Sequence, residues 1–132
     1  MRKPERQAEG RAVVIHDYSG ARIACATLRR TVEGATLGAT TFTPYFSYTG
    51  DLMVSGSLGP LTTSGTTQTF TYSLSGVDPA CANGAGDAAN SCGVHIHSGM
   101  TCADNAGGHY YTVDVTSEVS RSTSWRRRSA VP

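Results

Sequence analysis

RAVVIHDYSGARIACATL, residues 11–28, reads as a β-hairpin. Two apolar runs, AVVIH and ARIACATL, flank DYSG, a good turn sequence in which Asp, Ser and Gly favour a tight reversal. The composition around the hairpin agrees. Gly, Ser, Thr and Ala dominate, long amphipathic helical repeats are absent, and short runs rich in Thr, Val, Tyr and Phe recur between turn residues. An all-β domain of about seven strands is expected, with no helix, as a β-sandwich or Greek-key barrel. The 132 residues suit one domain with a core of its own.

Outward from the hairpin, residues 1–10 are polar and 29–40 read as a linker. TFTPYFSYT (41–49) and DLMVSGSLG (51–59) are strand candidates, the first an edge or interrupted strand because of Pro44. QTFTYSLSGV (68–77) places Phe70, Tyr72 and Leu74 on one face and Thr71, Ser73 and Ser75 on the other, the period of a half-buried strand. DPACANGAGDAANSC (78–92) is a turn-rich loop. A disulfide between Cys81 and Cys92 would close it and contribute on the order of 2–3 kcal/mol. GVHIH (93–97) is a short strand, SGMTCADNAGG (98–108) a loop, and HYYTVDVT (109–116) the start of another strand.

Charge is split along the chain. Residues 31–120 hold seven acids and no Lys or Arg, and all eleven basic residues lie in 1–30 and 121–132. The terminal WRRRSAVP is short and lacks interleaved aromatics, so a solvated tail over 117–132 is expected rather than a nucleic-acid contact. No run is long enough for a membrane-spanning helix. The four cysteines form an even set without CxxC, which favours disulfides and an oxidising, extracellular or secretory compartment. MRKPERQAEG has no apolar core of a signal peptide; a piece of a larger exported protein reconciles the two.

Three of the four histidines sit in CGVHIHSGMTCADNAGGHYY (92–111). On a strand, His95 and His97 at i and i+2 share a face, with Ile96 opposite. His109 returns after a Gly-rich loop. Imidazoles so grouped suit copper, zinc, iron or nickel, the alternative being surface histidines in a polar loop. His16 ends the first hairpin strand, and Arg22 falls roughly across from it. A cation beside a histidine site makes sense where an anion must approach a metal.

These segments resemble the copper/zinc superoxide dismutases. GVHIHSGMTCADNAGGHYY is similar to the family's copper-ligand segment, and GRAVVIHDYSGARIACATL to its closing strands, a Val-rich strand ending in His and then G-x-R-x-A-C. The resemblance covers about forty residues strongly and 51–77 more weakly. It implies a Greek-key fold, copper bound by His16, His95, His97 and His109, with His109 matching the ligand that bridges to zinc in two-metal members. It implies that Cys25 and Cys102 match the disulfide pinning the ligand loop, and that Arg22 matches the arginine guiding superoxide to copper. Cys81 and Cys92 lie outside that pattern and are assigned to each other as the remaining pair.

The departures shape the expectation. No histidine follows His109, so a zinc site is not expected and the likeness is to copper-only members, including those that occur as repeats. The family's closing hairpin comes first here. Either the chain is permuted, with 29–40 as the new connection, or it straddles two repeats, with 1–28 closing one and 41–116 opening the next. The second is favoured, because SRSTSWRRRSAVP does not read as a strand. The activity so implied is copper-dependent dismutation of superoxide, an antioxidant role. The alternatives are a non-enzymatic copper-binding or structural repeat of a larger exported protein and, last, a copper chaperone, for which thiolates would be the better ligands.

Overall fold

The computed structural model describes residues 8–30, 36–64 and 67–110. The tail expected over 117–132, and the strand expected beyond Tyr110, lie outside them. Ten short strands are described: β1 Ala12–His16, β2 Arg22–Thr27, β3 Arg29–Arg30, β4 Leu37–Gly38, β5 Thr43–Pro44, β6 Ser55–Leu58, β7 Thr62–Ser64, β8 Thr67–Thr69, β9 Tyr72–Ser75 and β10 Val94–Ile96. All their pairings are antiparallel, and the class is all-β. Among the described residues the strands do not close into a barrel.

The hairpin forms as its sequence dictates. Asp17 Oδ1 accepts hydrogen bonds from Ser19 N, Ser19 Oγ and Ala21 N at 3.0, 2.7 and 2.9 Å, an Asx turn that holds the DYSG reversal. Gly20 supplies the left-handed backbone the reversal needs, at φ +89°. β1 and β2 are the inner strands of a four-stranded sheet ordered β10-β1-β2-β5. Inner strands bury both faces, which is why AVVIH is apolar without alternation; all five of its residues are buried. β5 lies at the sheet's edge, where Pro44, which lacks an N–H, is tolerated.

One face of this sheet carries Val13, Ile15, Ala24 and Ala26 into the main core. There they meet Leu37, Ala39, Val54, Leu58, Leu61 and Tyr72 from the second set of strands. Within that set β6 pairs with β9, and Ala39 exchanges backbone hydrogen bonds with Leu58 at 2.8 Å. Tyr72 is buried while Ser73 and Ser75 are exposed, the alternation expected of 68–77. The opposite face of the sheet carries Ala12, Val14 and Cys25 against Tyr45 and Ala106, a smaller cluster under the 98–108 loop.

The structure adds detail to three stretches. The stretch 29–40 is not a bare linker: β3 pairs with β4, and Leu37 and Ala39 are buried. Two inward residues around Gly38 are too few to show a period in sequence. The loop 78–92 contains a 3-10 turn, Pro79–Asn83, because Asp78 caps Ala80 N at 3.0 Å and Pro79 fits the first helical position. Finally, β1 pairs with both β2 and β10, so the opening hairpin and the HxH segment share one sheet.

The core predicts a contrast. Ile15 is fully buried and Met53 is 71% exposed. In urea denaturation, Ile15→Ala should lose about 2–5 kcal/mol. Met53→Ala should change stability by no more than about 0.5 kcal/mol.

Candidate metal centre

The strand period places the histidines. On β1, Ala12, Val14 and His16 share the face opposite the main core. β10 pairs with β1 in the register Val13↔Ile96, Val14↔His95, Ile15↔Val94, so His95 and His97 fall on that same face. His16 N donates to Gly93 O at 2.9 Å and His97 N to Ala12 O at 2.7 Å, extending the ladder at both ends. The 98–108 loop then folds back. Ser98 N donates to Gly108 O and Gly99 N to Ala106 O, and this sets His109 opposite His97.

One ring nitrogen from each of His16, His95, His97 and His109 lies within 4.8 Å of every other. Imidazole nitrogens bind a metal such as zinc at about 2.0–2.1 Å, so four nitrogens this close could share one ion. His16, His95 and His97 are buried and His109 is half-buried, which puts His109 on the solvent side.

The outer nitrogens fix the inner ones. His16 Nδ1 donates to Gly20 O at 2.9 Å and His97 Nδ1 to Gly107 O at 2.8 Å. A carbonyl only accepts, so each Nδ1 carries the proton and each Nε2 keeps its lone pair. His16 Nε2, His97 Nε2 and His95 Nδ1 are buried atoms that make no hydrogen bond. Buried polar atoms ordinarily have partners, and the unsatisfied Nε2 atoms of His16 and His97, two members of this four-histidine cluster, fit a metal ion. The four-histidine cluster could hold one, and its donor set is imidazole throughout.

A bulge brings Arg22 to this face. Ile15 pairs with Ala24, but His16 pairs with Arg22, so Ile23 is the extra residue on β2. Regular alternation would put Arg22 on the core face with Ala24 and Ile23 beside His16. The bulge exchanges them: Ile23 joins the main core, and Arg22 stands by the histidines. Its guanidinium is held there, Nη1 donating to Tyr45 Oη at 2.8 Å and to Asn105 Oδ1 at 3.4 Å.

Both disulfides are present, Cys25–Cys102 and Cys81–Cys92, and both are compatible with an oxidising environment. The first ties β2 to the loop that supplies Gly107. The second closes the loop lying over the DYSG turn, where Cys92 N donates to Asp17 O at 2.8 Å and Ser91 Oγ to Tyr18 O at 2.6 Å.

Every site residue expected from sequence is therefore in the face or in the loops that frame it. Sequence reasoning missed Tyr45, Asn105 and the carbonyls of Gly20 and Gly107. The contacts of Tyr45 span 23 residues to Arg22 and 60 to Asn105, and no local spacing signals them.

Burial also favours the neutral form of His16, His95 and His97. Desolvation, aided by the neighbouring imidazoles, pushes His95 down to about 3. Desolvation pushes His97 down to about 4, with Arg22 adding to it and the Gly107 carbonyl opposing it. His16 is lowered chiefly by desolvation, the Gly20 carbonyl opposing. In the unfolded chain these groups titrate near 6.5. As pH falls below that value, the unfolded chain takes up protons that the fold refuses. The stability these groups contribute is thus present above about 6.5 and lost as pH falls through about 4 and 3. Metal-free protein should show a lower urea midpoint at pH 5 than at pH 7.5, with a smaller difference in His95→Gln. Equal midpoints would contradict neutral His16, His95 and His97.

No family model, curated protein or solved structure matches this chain, so its function rests on the chemistry of the site itself.

Proposed function

We propose that this chain is a copper-dependent superoxide dismutase of the copper-only type, a Greek-key domain in permuted strand order. The observation that carries the reading is the convergence of His16 with His95, His97 and His109, from opposite ends of the chain, beside a tethered arginine. An all-imidazole set suits Cu(II), and the half-buried His109 leaves an approach from solvent. When bound, copper would supply one-electron chemistry, by which one superoxide is oxidised to dioxygen and a second is reduced and takes two protons to give hydrogen peroxide.

The protein's own part is to hold and to attract. Gly20 O and Gly107 O keep Nδ1 of His16 and His97 protonated, so that each Nε2 stays a donor. Arg22 sets a permanent positive charge beside the cluster, which raises the local concentration of a small anion. Its hydrogen bonds to Tyr45 and Asn105 keep that charge at the rim, where it does not compete for the ligand nitrogens. The disulfides accord with work in an extracellular or secretory compartment.

The test is to load the chain with copper and measure stoichiometry, the Cu(II) spin-resonance spectrum and the dismutation rate, with His16→Ala and Arg22→Glu alongside. One copper per chain in nitrogen ligation is expected. His16→Ala should change the spectrum. Arg22→Glu should retain copper yet slow turnover by about tenfold or more. An unchanged spectrum and rate in His16→Ala would rule out the four-histidine site. Bound copper without dismutation above that of free Cu(II) would leave the non-enzymatic copper-binding module as the function.

A further inference from the structure

Tyr45 is an unexpected residue to find under this site. It follows Pro44 at the end of edge strand β5, yet it is only 4% exposed, packed with Cys25, Val14 and Ala106 on the histidine-bearing face. A buried phenol needs partners, and this one has a full set. Its oxygen accepts from Arg22 Nη1 at 2.8 Å and from Ala106 N at 2.9 Å. Its own proton points to Asn105 Oδ1, at a long 3.5 Å. Asn105 Oδ1 also accepts from Gly107 N at 2.7 Å. Tyr45 thus joins β5, the bulged start of β2 and the ligand loop at one oxygen atom.

The geometry points to Tyr45 as the positioning residue for Arg22, setting where the guanidinium stands relative to the histidine cluster. The inference rests on the proposed function for its consequence in turnover, though not for its geometry. An arginine at a strand end has many rotamers, and steering depends on where the charge rests rather than on its presence alone. The phenol selects one placement by a short hydrogen bond, while the ring stands 5.5 Å from the guanidinium carbon. A phenylalanine would keep the packing and lose the shorter of the two side-chain hydrogen bonds that hold Arg22, leaving only Asn105 Oδ1 at 3.4 Å. Tyr45 acts on the site through Arg22.

The experiment is a double-mutant cycle of Tyr45→Phe and Arg22→Ala in copper-loaded protein, reading azide affinity at Cu(II) and the dismutation rate. In the parent background, Tyr45→Phe should weaken azide binding and slow dismutation about three- to tenfold, with copper stoichiometry and spectrum unchanged. In the Arg22→Ala background it should do nothing further. Equal losses in both backgrounds, or no loss in the parent, would overturn the proposal. Nitrogen-15 side-chain spectra of metal-free protein give a reading independent of copper. Arg22 should show restricted Nη exchange in the parent and averaged signals in Tyr45→Phe. Averaged signals in the parent itself, or identical signals in both, would overturn it. A parent that binds copper without dismutating superoxide defeats the proposed function alone, since azide affinity and the Arg22 signals still decide the role of Tyr45.

Discussion

Everything at the site depends on β1 lying between β2 and β10. A strand has two faces and a period of two, so one register decides all the inward residues at once. With Val14 opposite His95, His16, His95 and His97 must share a face, and a slip of one residue would send His95 and His97 into the main core. That alternative is blocked on the other side of β1. Val13 and Ile15 already fill the core with Ala24 and Ala26, whose small side chains leave room for the facing Leu37 and Leu58. The histidine cluster and the hydrophobic core are therefore two readings of one register.

A strictly regular hairpin would spoil the arrangement. It would set Ile23 across from His16 and turn Arg22 into the core, where an unpaired guanidinium is very costly. The single bulge between Ile15 and His16 resolves both conflicts, giving Ile23 to the core and Arg22 to the site. Arg22 then finds a phenol rather than a carboxylate as its anchor. A carboxylate there would cancel much of the charge, whereas a neutral acceptor fixes the guanidinium and leaves its field intact. That choice of partner is what an anion-attracting role requires.

Much of this was legible in the residues, because it rests on short periods. AVVIH and GVHIH show their faces directly, and DYSG announces its turn by composition. The Arg22–His16 pairing followed from counting back across that turn, and the structure gives the same pair through a bulge that no local pattern announces. What escaped was carried by single contacts between distant segments. The exchange of Ala39 with Leu58 and the hydrogen bond of Tyr45 to Arg22 leave no periodic trace. The pairing of β1 with β10 also leaves no local trace, since pairing in an antiparallel sheet depends on register and not on which strand comes first.

The two disulfides complete the site in parallel ways. Each of two ligand histidines is oriented by a carbonyl from a glycine, and glycine is the residue least able to hold its own backbone still. Gly20 lies in the DYSG turn, pressed by the loop that Cys81–Cys92 closes, and a Cβ at Gly20 would strike Ala89 O in that loop. Gly107 lies in the loop that Cys25–Cys102 fastens to β2, and Asn105 holds its N–H. Both glycines have positive φ, so stiffer residues would be strained in either place. The loops must bend tightly to aim a carbonyl, tight bending calls for glycine, and glycine calls for an external staple. The two disulfides thus brace the loops whose glycine carbonyls orient His16 and His97 in the histidine cluster.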